Sequence, residues 1–388
     1  MSTYTPSPAH ITGFTAVTDG STEDAALFAP FLEGLANQGA WVADGGDLSA
    51  LSWINGGATT NTLKRLAYSK LDGVWIGVGD GGNNFVESSV SFGRAWTNIG
   101  GTIAGSVGAK TYLEAAFSSA SGYVVIAVNG SRDVVVGTRT AWNTFTWAAT
   151  ANALSILASA IDLDFEPTSA LWIALYRTGA SGMRLDTSSN GTAWTARALP
   201  ATWSGYTGSN NPRLGAAAGH AVGVLATVEA TATIETIYSS NGTTWTGVTL
   251  TSTIAPADIS GPWITRPAYD TGLGVWWFAV SSSTADSAEV WKSADNGATW
   301  SVAKSFASLD VRIEAACMIG GVWACLTTKG RLMVSKDAGA SWSWVLAHDG
   351  TANVFTMRGG GDCAIVINWT DKTSFRSLRA ARVAGTGV

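Results

Sequence analysis

Seven short apolar runs recur along the chain at nearly even spacing. They are VWIGV at 74–78, VVIAV at 124–128, LWIAL at 171–175, VGVLA at 222–226, VWWFAV at 275–280, VWACL at 322–326 and CAIVI at 363–367. Each is five or six residues long, and glycine-rich or polar segments bound it. Runs of that length, rich in Val, Ile and Trp and flanked by turn residues, predict buried β-strands rather than helices. A shorter strand-like segment and a loop precede each run, so every interval is expected to hold about four strands.

A second pattern keeps the same period. Ser293-Ala-Asp295-Asn-Gly297-Ala-Thr-Trp300 and Ser335-Lys-Asp337-Ala-Gly339-Ala-Ser-Trp342 share the form S-x-D-x-G-x-x-W. Looser copies end at Trp96, Trp194 and Trp245, and a poor one, without the glycine, ends at Trp147. Successive tryptophans lie 51, 47, 51, 55 and 42 residues apart. The chemistry fits a hairpin turn. Glycine supplies a positive φ, the preceding Asp, Asn or Ser accepts backbone N–H bonds, and Trp plugs the space beneath. Two features with one period near fifty predict an all-β, seven-bladed β-propeller. The last apolar strand lacks a Trp turn.

The S-x-D-x-G-x-x-W form resembles the Asp-box (BNR) repeat of sialidase-like propellers, over roughly residues 62–388. The resemblance implies that Ser293, Asp295, Gly297, Trp300, Ser335, Asp337, Gly339 and Trp342 are structural. It places them on hairpins away from that family's ligand-binding face. Bacteriophage tail proteins include propellers of this kind.

Residues 1–40 do not carry the repeat. Ser21-Thr-Glu-Asp24 resembles a helix start, and Leu27, Phe28, Phe31, Leu32 and Leu35 share one helical face, although Pro30 and Gly34 keep any helix short. This segment is expected to be a lid or a docking element. Residues 41–388 are expected to form the propeller, with one strand from 40–60 completing the last blade and closing the ring.

Composition narrows the partners. Charged residues are 13% of the chain and the net charge is −5, with no Lys/Arg-dense stretch; nucleic acid is therefore not an expected partner. No apolar run is long enough to span a bilayer, so no membrane insertion is expected. The start of the sequence lacks the features of a signal peptide. Cys317, Cys325 and Cys363 lie in apolar strands, and His10, His220 and His348 share no ligand spacing with them. No metal site and no cofactor are expected.

In a propeller the innermost strand of each blade lines the axis. Aligning the segments before the apolar strands gives a column of Arg65, Glu114, Asp162, Gly215, Arg266 and Glu314, with the seventh position unplaced. Arg65–Glu114 and Arg266–Glu314 are the expected ion pairs between adjacent blades; the alternative is a polar ligand held at the channel mouth. Trp203, Tyr206 and Trp263 fall in loop-like segments as candidate sugar-stacking residues. Asp162, Asp164 and Glu166 alternate in IDLDFEP, which suits a solvated strand end as well as an acid/base pair. Glycoside cleavage needs two positioned carboxyl groups, and no such pair is recognisable. Sialidases also use three arginines, a Tyr–Glu pair and an early Arg-Ile-Pro motif; the only near match here is Thr265-Arg266-Pro267, on the fifth repeat. No catalytic residue is therefore assigned.

The expected function is a non-enzymatic structural or adhesive protein of a virion. It would be made in the host cytoplasm and would dock to other tail proteins or to cell-surface glycans. The alternative is a carbohydrate-binding or glycoside-hydrolysing propeller.

Overall fold

The computed structural model describes residues 52–378, apart from short stretches between strands, the longest being 80–85, 104–111, 255–263 and 346–354. The expected helix within residues 21–35, and the 1–40 segment as a whole, lie outside the described residues. One compact unit spans Leu51–Arg379.

Four-stranded antiparallel sheets build this unit, and six of them are in-line blades with strands in sequence order. They run Arg65–Asn98, Tyr112–Thr150, Ala160–Arg197, Arg213–Thr251, Ala268–Phe306 and Ile313–Val345. The expectation of seven repeat blades is corrected on this point. The remaining sheet is not a repeat unit but a composite of two distant parts of the chain. Its order is Phe355–Gly360, Cys363–Asn368, Thr373–Leu378 and then Ser52–Ala58, with Ser52 opposite Leu378. Each innermost strand packs on the next. Phe355–Gly360 packs on both Ile313–Ile319 and Arg65–Ser69, which closes the ring. The seventh apolar run therefore does not head a further repeat, because its sheet is completed by Ser52–Ala58 from some three hundred residues earlier, the strand from 40–60 that was expected to close the ring. One short helix, α1 (Ala201–Ser204), interrupts the strands after the third blade, with Trp203 buried beneath it.

The second strand of each blade is the apolar run, and it is covered on both faces. All five residues of Val74–Val78 are buried. The outer strands face solvent on one side; Thr144–Thr150 alternates between exposed and half-buried positions. Trp147 lies in the middle of that strand, opposite Gly137, and not at the end of a turn as its sequence suggested.

Aromatic pairs bridge the first two strands of several blades: Tyr68–Trp75, Phe165–Trp172 and Tyr269–Trp276, with ring centroids 4.5, 4.8 and 5.0 Å apart. Between the fifth and sixth blades Trp277 stacks on Trp323 at 4.6 Å and an interplanar angle of 2°. Such pairs add about 0.5–1.5 kcal/mol each beyond the area they bury.

The Trp turns of the third to sixth blades share one set of bonds. Ser293 Oγ donates to Asp295 Oδ1 (2.8 Å) and accepts from Gly297 N (2.8 Å). Asp295 accepts from Thr299 N and Oγ1, and Trp300 Nε1 donates to Gly297 O (3.0 Å). The turn at Ser335–Trp342 repeats every one of these bonds, with Ser341 in the place of Thr299. In the third and fourth blades Asn190 and Asn241 do the work of the aspartate in a turn one residue shorter. The extra residue of the long form is Asn296 or Ala338, at φ 59° and 56°, immediately before the positive-φ glycine. Each turn also touches the preceding blade: a Cβ on Gly297 would meet Tyr238 at 2.9 Å, and one on Gly242 would meet Leu171 at 2.8 Å. The motif therefore fixes blade to blade.

Candidate functional site

The hairpin joining the first two strands of each blade sets which side chains share a level on the axis. In the first, second, third and fifth blades four residues separate the closing pairs Ser69–Val74, Ser118–Tyr123, Glu166–Leu171 and Asp270–Val275. In the fourth blade only Ala218 and Gly219 separate Ala217 from His220, both at positive φ (51° and 81°), the conformation of a two-residue hairpin turn. Four residues before the closing position lie Arg65, Glu114, Asp162, Arg213 and Arg266. The fourth-blade member of the column is thus Arg213, not Gly215. Aligning on the apolar strands concealed the two-residue difference in hairpin length. Glu314 falls at an irregularity in the pairing of the sixth blade.

Arg65 Nε meets Glu114 Oε2 at 3.3 Å, the pair expected between the first and second blades. The expected Arg266–Glu314 pair does not form. Arg266 instead reaches back across the fourth blade to the third, to Asp162 Oδ1 at 3.1 Å and Asp164 Oδ2 at 3.3 Å. It also donates to the carbonyls of Leu214 and Leu163 at 2.5 Å. Burial disfavours its charge, but Asp162 and Asp164 outweigh that and raise its pKa. Glu314 faces Arg213, Arg65 and Arg312, and burial pushes its pKa up to about 7; its Oε2 is buried without a hydrogen-bond partner among the described residues. Burial, then the charge of Asp162, likewise pushes Glu114 to about 7. Arg213 donates to Ile264 O at 3.2 Å, and burial, then Arg65, lowers it to about 10.

Asp162, Asp164 and Glu166 do not form a solvated strand end. Each accepts a backbone N–H from the fourth blade: Leu214 N at 3.0 Å, Ala216 N at 2.9 Å and Gly219 N at 2.7 Å. Glu166 also takes bonds from Thr168 N and from Ser169 N and Oγ. Burial opposes its charge, but these bonds prevail and lower its pKa. A buried amide needs such an acceptor, so alternating carboxylates on one inner strand pin the next.

Arg358, on the inner strand of the composite sheet, lies two residues before the closing pair Gly360–Cys363, at the level of Asp164 and not in the column itself. Its Nη2 lies 3.5 Å from Asp164 Oδ1. It and Arg213 are the charged residues that sequence reasoning missed; hairpin length was the available signal for Arg213, and none existed for Arg358.

Toward the hairpin end of the inner strands a cavity of about 460 Å³ opens beside this network. Arg266, Arg358 and Asp164 line it together with Tyr269, Trp276 and Met318. Two glycines let neighbouring strands close its wall. A Cβ on Gly215 would stand 2.3 Å from Pro267 O, and one on Gly359 would stand 2.1 Å from Met318 O.

The candidate sugar-stacking residues are placed otherwise. Trp203 is 0% exposed, within the core between the third and fourth blades. Tyr206 is buried beside it and takes a hydrogen bond from Asn210 N. Neither offers a ring face to solvent, because α1 turns the segment inward. Trp263 lies outside the described residues. Among the described residues no group of three or more His, Cys, Asp or Glu is placed to hold a metal.

No protein-family model matches the chain, and no curated protein does. Solved structures do. YCF48 from Cyanidioschyzon merolae aligns with a TM-score of 0.58 at 14% identity, over 86% of this chain and 100% of that one. A catalytically inactive virginiamycin B lyase from Staphylococcus aureus, solved with quinupristin, aligns with a TM-score of 0.58 at 10% identity, over 84% and 99%. Raptor from Chaetomium thermophilum aligns with a TM-score of 0.56 at 10% identity, over 85% of this chain and 29% of that one. At these identities the likeness shows the fold alone, a β-propeller.

Proposed function

We propose that this chain is a non-enzymatic structural propeller that docks onto other proteins, as a component of a virion such as a phage tail. One observation carries the non-enzymatic part: the three carboxylates on the inner strand of the third blade are committed to holding blades together. Asp162, Asp164 and Glu166 accept amides of the fourth blade, and Arg266 binds the first two of them. A glycosidase needs one carboxyl group held ready as acid and another as base or nucleophile, and groups locked in inter-blade bonds serve neither role well.

The docking part draws support from the neighbours, one of which is a YCF48 structure bound to D1 peptide. The Ser-, Thr- and Gly-rich, Lys-poor sequence suits a protein displayed on a particle. Burial of Trp203 and Tyr206 weighs against the sugar-binding alternative.

Quantitative mass spectrometry of purified virions from the source tests the assignment. The expected result is this chain at fixed stoichiometry with known virion proteins; its absence from every particle fraction refutes the proposal. Turnover of a panel of fluorogenic glycosides by the purified chain would refute the non-enzymatic part.

A further inference from the structure

We infer that the cavity beside Arg358 is a binding site for a small monocarboxylate with an apolar or aromatic body. Three observations on the cavity converge on that chemistry.

The first is an under-used cation. A guanidinium carries five N–H donors, and Arg358 makes one direct polar contact among the described residues, the 3.5 Å approach to Asp164 Oδ1. Its side chain is 24% exposed, so it reaches the cavity rather than being sealed in the network. Arg266, in contrast, spends its donors on two carboxylates and two carbonyls. Asp164 does not satisfy Arg358 either, since the oxygen that faces it, Oδ1, already accepts Phe165 N at 3.1 Å.

The second is the local charge. Arg65, Arg213, Arg266 and Arg358 face Asp162, Asp164, Glu114 and Glu314. Of the charged residues that line the cavity itself, two are arginines, Arg266 and Arg358, and one is a carboxylate, Asp164, an excess of one positive charge that an anionic guest would neutralise.

The third is the wall. Pro267, Tyr269, Trp276, Met318 and Met357 supply an apolar and aromatic lining, and about 460 Å³ is within the usual range for small-molecule pockets. Carboxylates pair well with a planar guanidinium fork, and the remaining lining asks for a hydrophobic body.

The cavity lies at the hairpin end of the inner strands. In an antiparallel four-strand meander this is also the end that carries the Trp turns. The Asp-box resemblance assigns no ligand to that end, so the site is distinct from a sialidase-type pocket. It is also independent of the virion assignment and can stand or fall without it.

The test uses N-acetyl-phenylalanine and its uncharged amide as probes, titrated by calorimetry into the full chain and into an R358Q variant. The acid should bind the wild type at least about tenfold more tightly than the amide, as expected for a hydrogen bond to a charged group, and R358Q should erase that preference. Equal binding of acid and amide, no binding of either at millimolar concentration, or a preference that survives R358Q would overturn the inference. The wild type supplies a second readout should R358Q fail to fold. Cys317 lines the cavity, so its alkylation by iodoacetamide, followed by peptide mass spectrometry, should be slowed by the acid and not by the amide. An unchanged rate counts against the site.

Discussion

Replacing Arg266 by Met tests whether the axis is held by charge or by shape. Methionine keeps much of the side chain's length and apolar stem but removes every donor. Four contacts go: the ion pairs to Asp162 and Asp164, and the hydrogen bonds to the carbonyls of Leu214 and Leu163. Asp162 suffers most. It is 2% exposed, and afterwards keeps Leu214 N on one oxygen while the other loses its ion-pair partner. Asp164 retains the longer approach of Arg358. Stranding one buried partner of an ion pair costs about 3–5 kcal/mol, and R266M should fall in that range in urea unfolding followed by tryptophan fluorescence at pH 7. The partner substitution sharpens the test. D162N removes the stranded charge and leaves the Leu214 N bond in place, so D162N/R266M should recover at least about 1.5 kcal/mol relative to the sum of the single changes. R266M within about 1 kcal/mol of wild type, or strict additivity with D162N, would show that the inter-blade charges do not hold the ring.

The remaining predictions address the glutamates, the glycine contact and the turns. Glu114 titrates near 7 in the folded chain against 4.5 ordinarily, so its contribution is fully present below pH 4.5 and is lost as pH rises through 7. The stability difference between E114Q and wild type should therefore shift in favour of E114Q by on the order of 2 kcal/mol between pH 5 and pH 8, and a pH-independent difference in denaturant titrations would contradict the burial argument. G215A places a methyl group against the Pro267 carbonyl; thermal unfolding should show a loss of about 1–3 kcal/mol, and a neutral result would mean the fourth and fifth blades can part freely. In the turn ending at Trp342, hydrogen bonds from Ser341 and then Ser335 hold Asp337 down at about 2. Because Asn190 and Asn241 bind the same kind of turn, D337N should change stability at pH 7 by less than about 1 kcal/mol at this exposed site, whereas D337A should lose about 1 kcal/mol. Parallel melts of the two variants decide this, and equal losses would show that the turn needs charge rather than an acceptor.

What could be read from the sequence was what repeats locally. The apolar second strands and the Ser–Gly–Trp turns each fall within eight residues, so their chemistry is visible without knowing what packs on them. The Arg65–Glu114 pair was legible for the same reason: the first two blades have equal hairpins, and alignment on the apolar strand keeps the register. Where the fourth blade shortens its hairpin to Ala218-Gly219, the same alignment slips by two residues and offers Gly215 in place of Arg213. The slip preserves the side of the strand, because side chains alternate with a period of two, and so nothing in the polarity pattern warns of it. Arg266 was beyond reach for another reason. Its partners lie two blades back, 104 and 102 positions away in the chain, and a repeat teaches only what adjacent units share. The asymmetry matters for function. A ring of identical blades would place identical charges round the axis; unequal hairpins and the composite sheet instead gather Arg266, Arg358 and Asp164 on one side, and the cavity opens there. Departures from the repeat are therefore where a ligand can be distinguished from the scaffold.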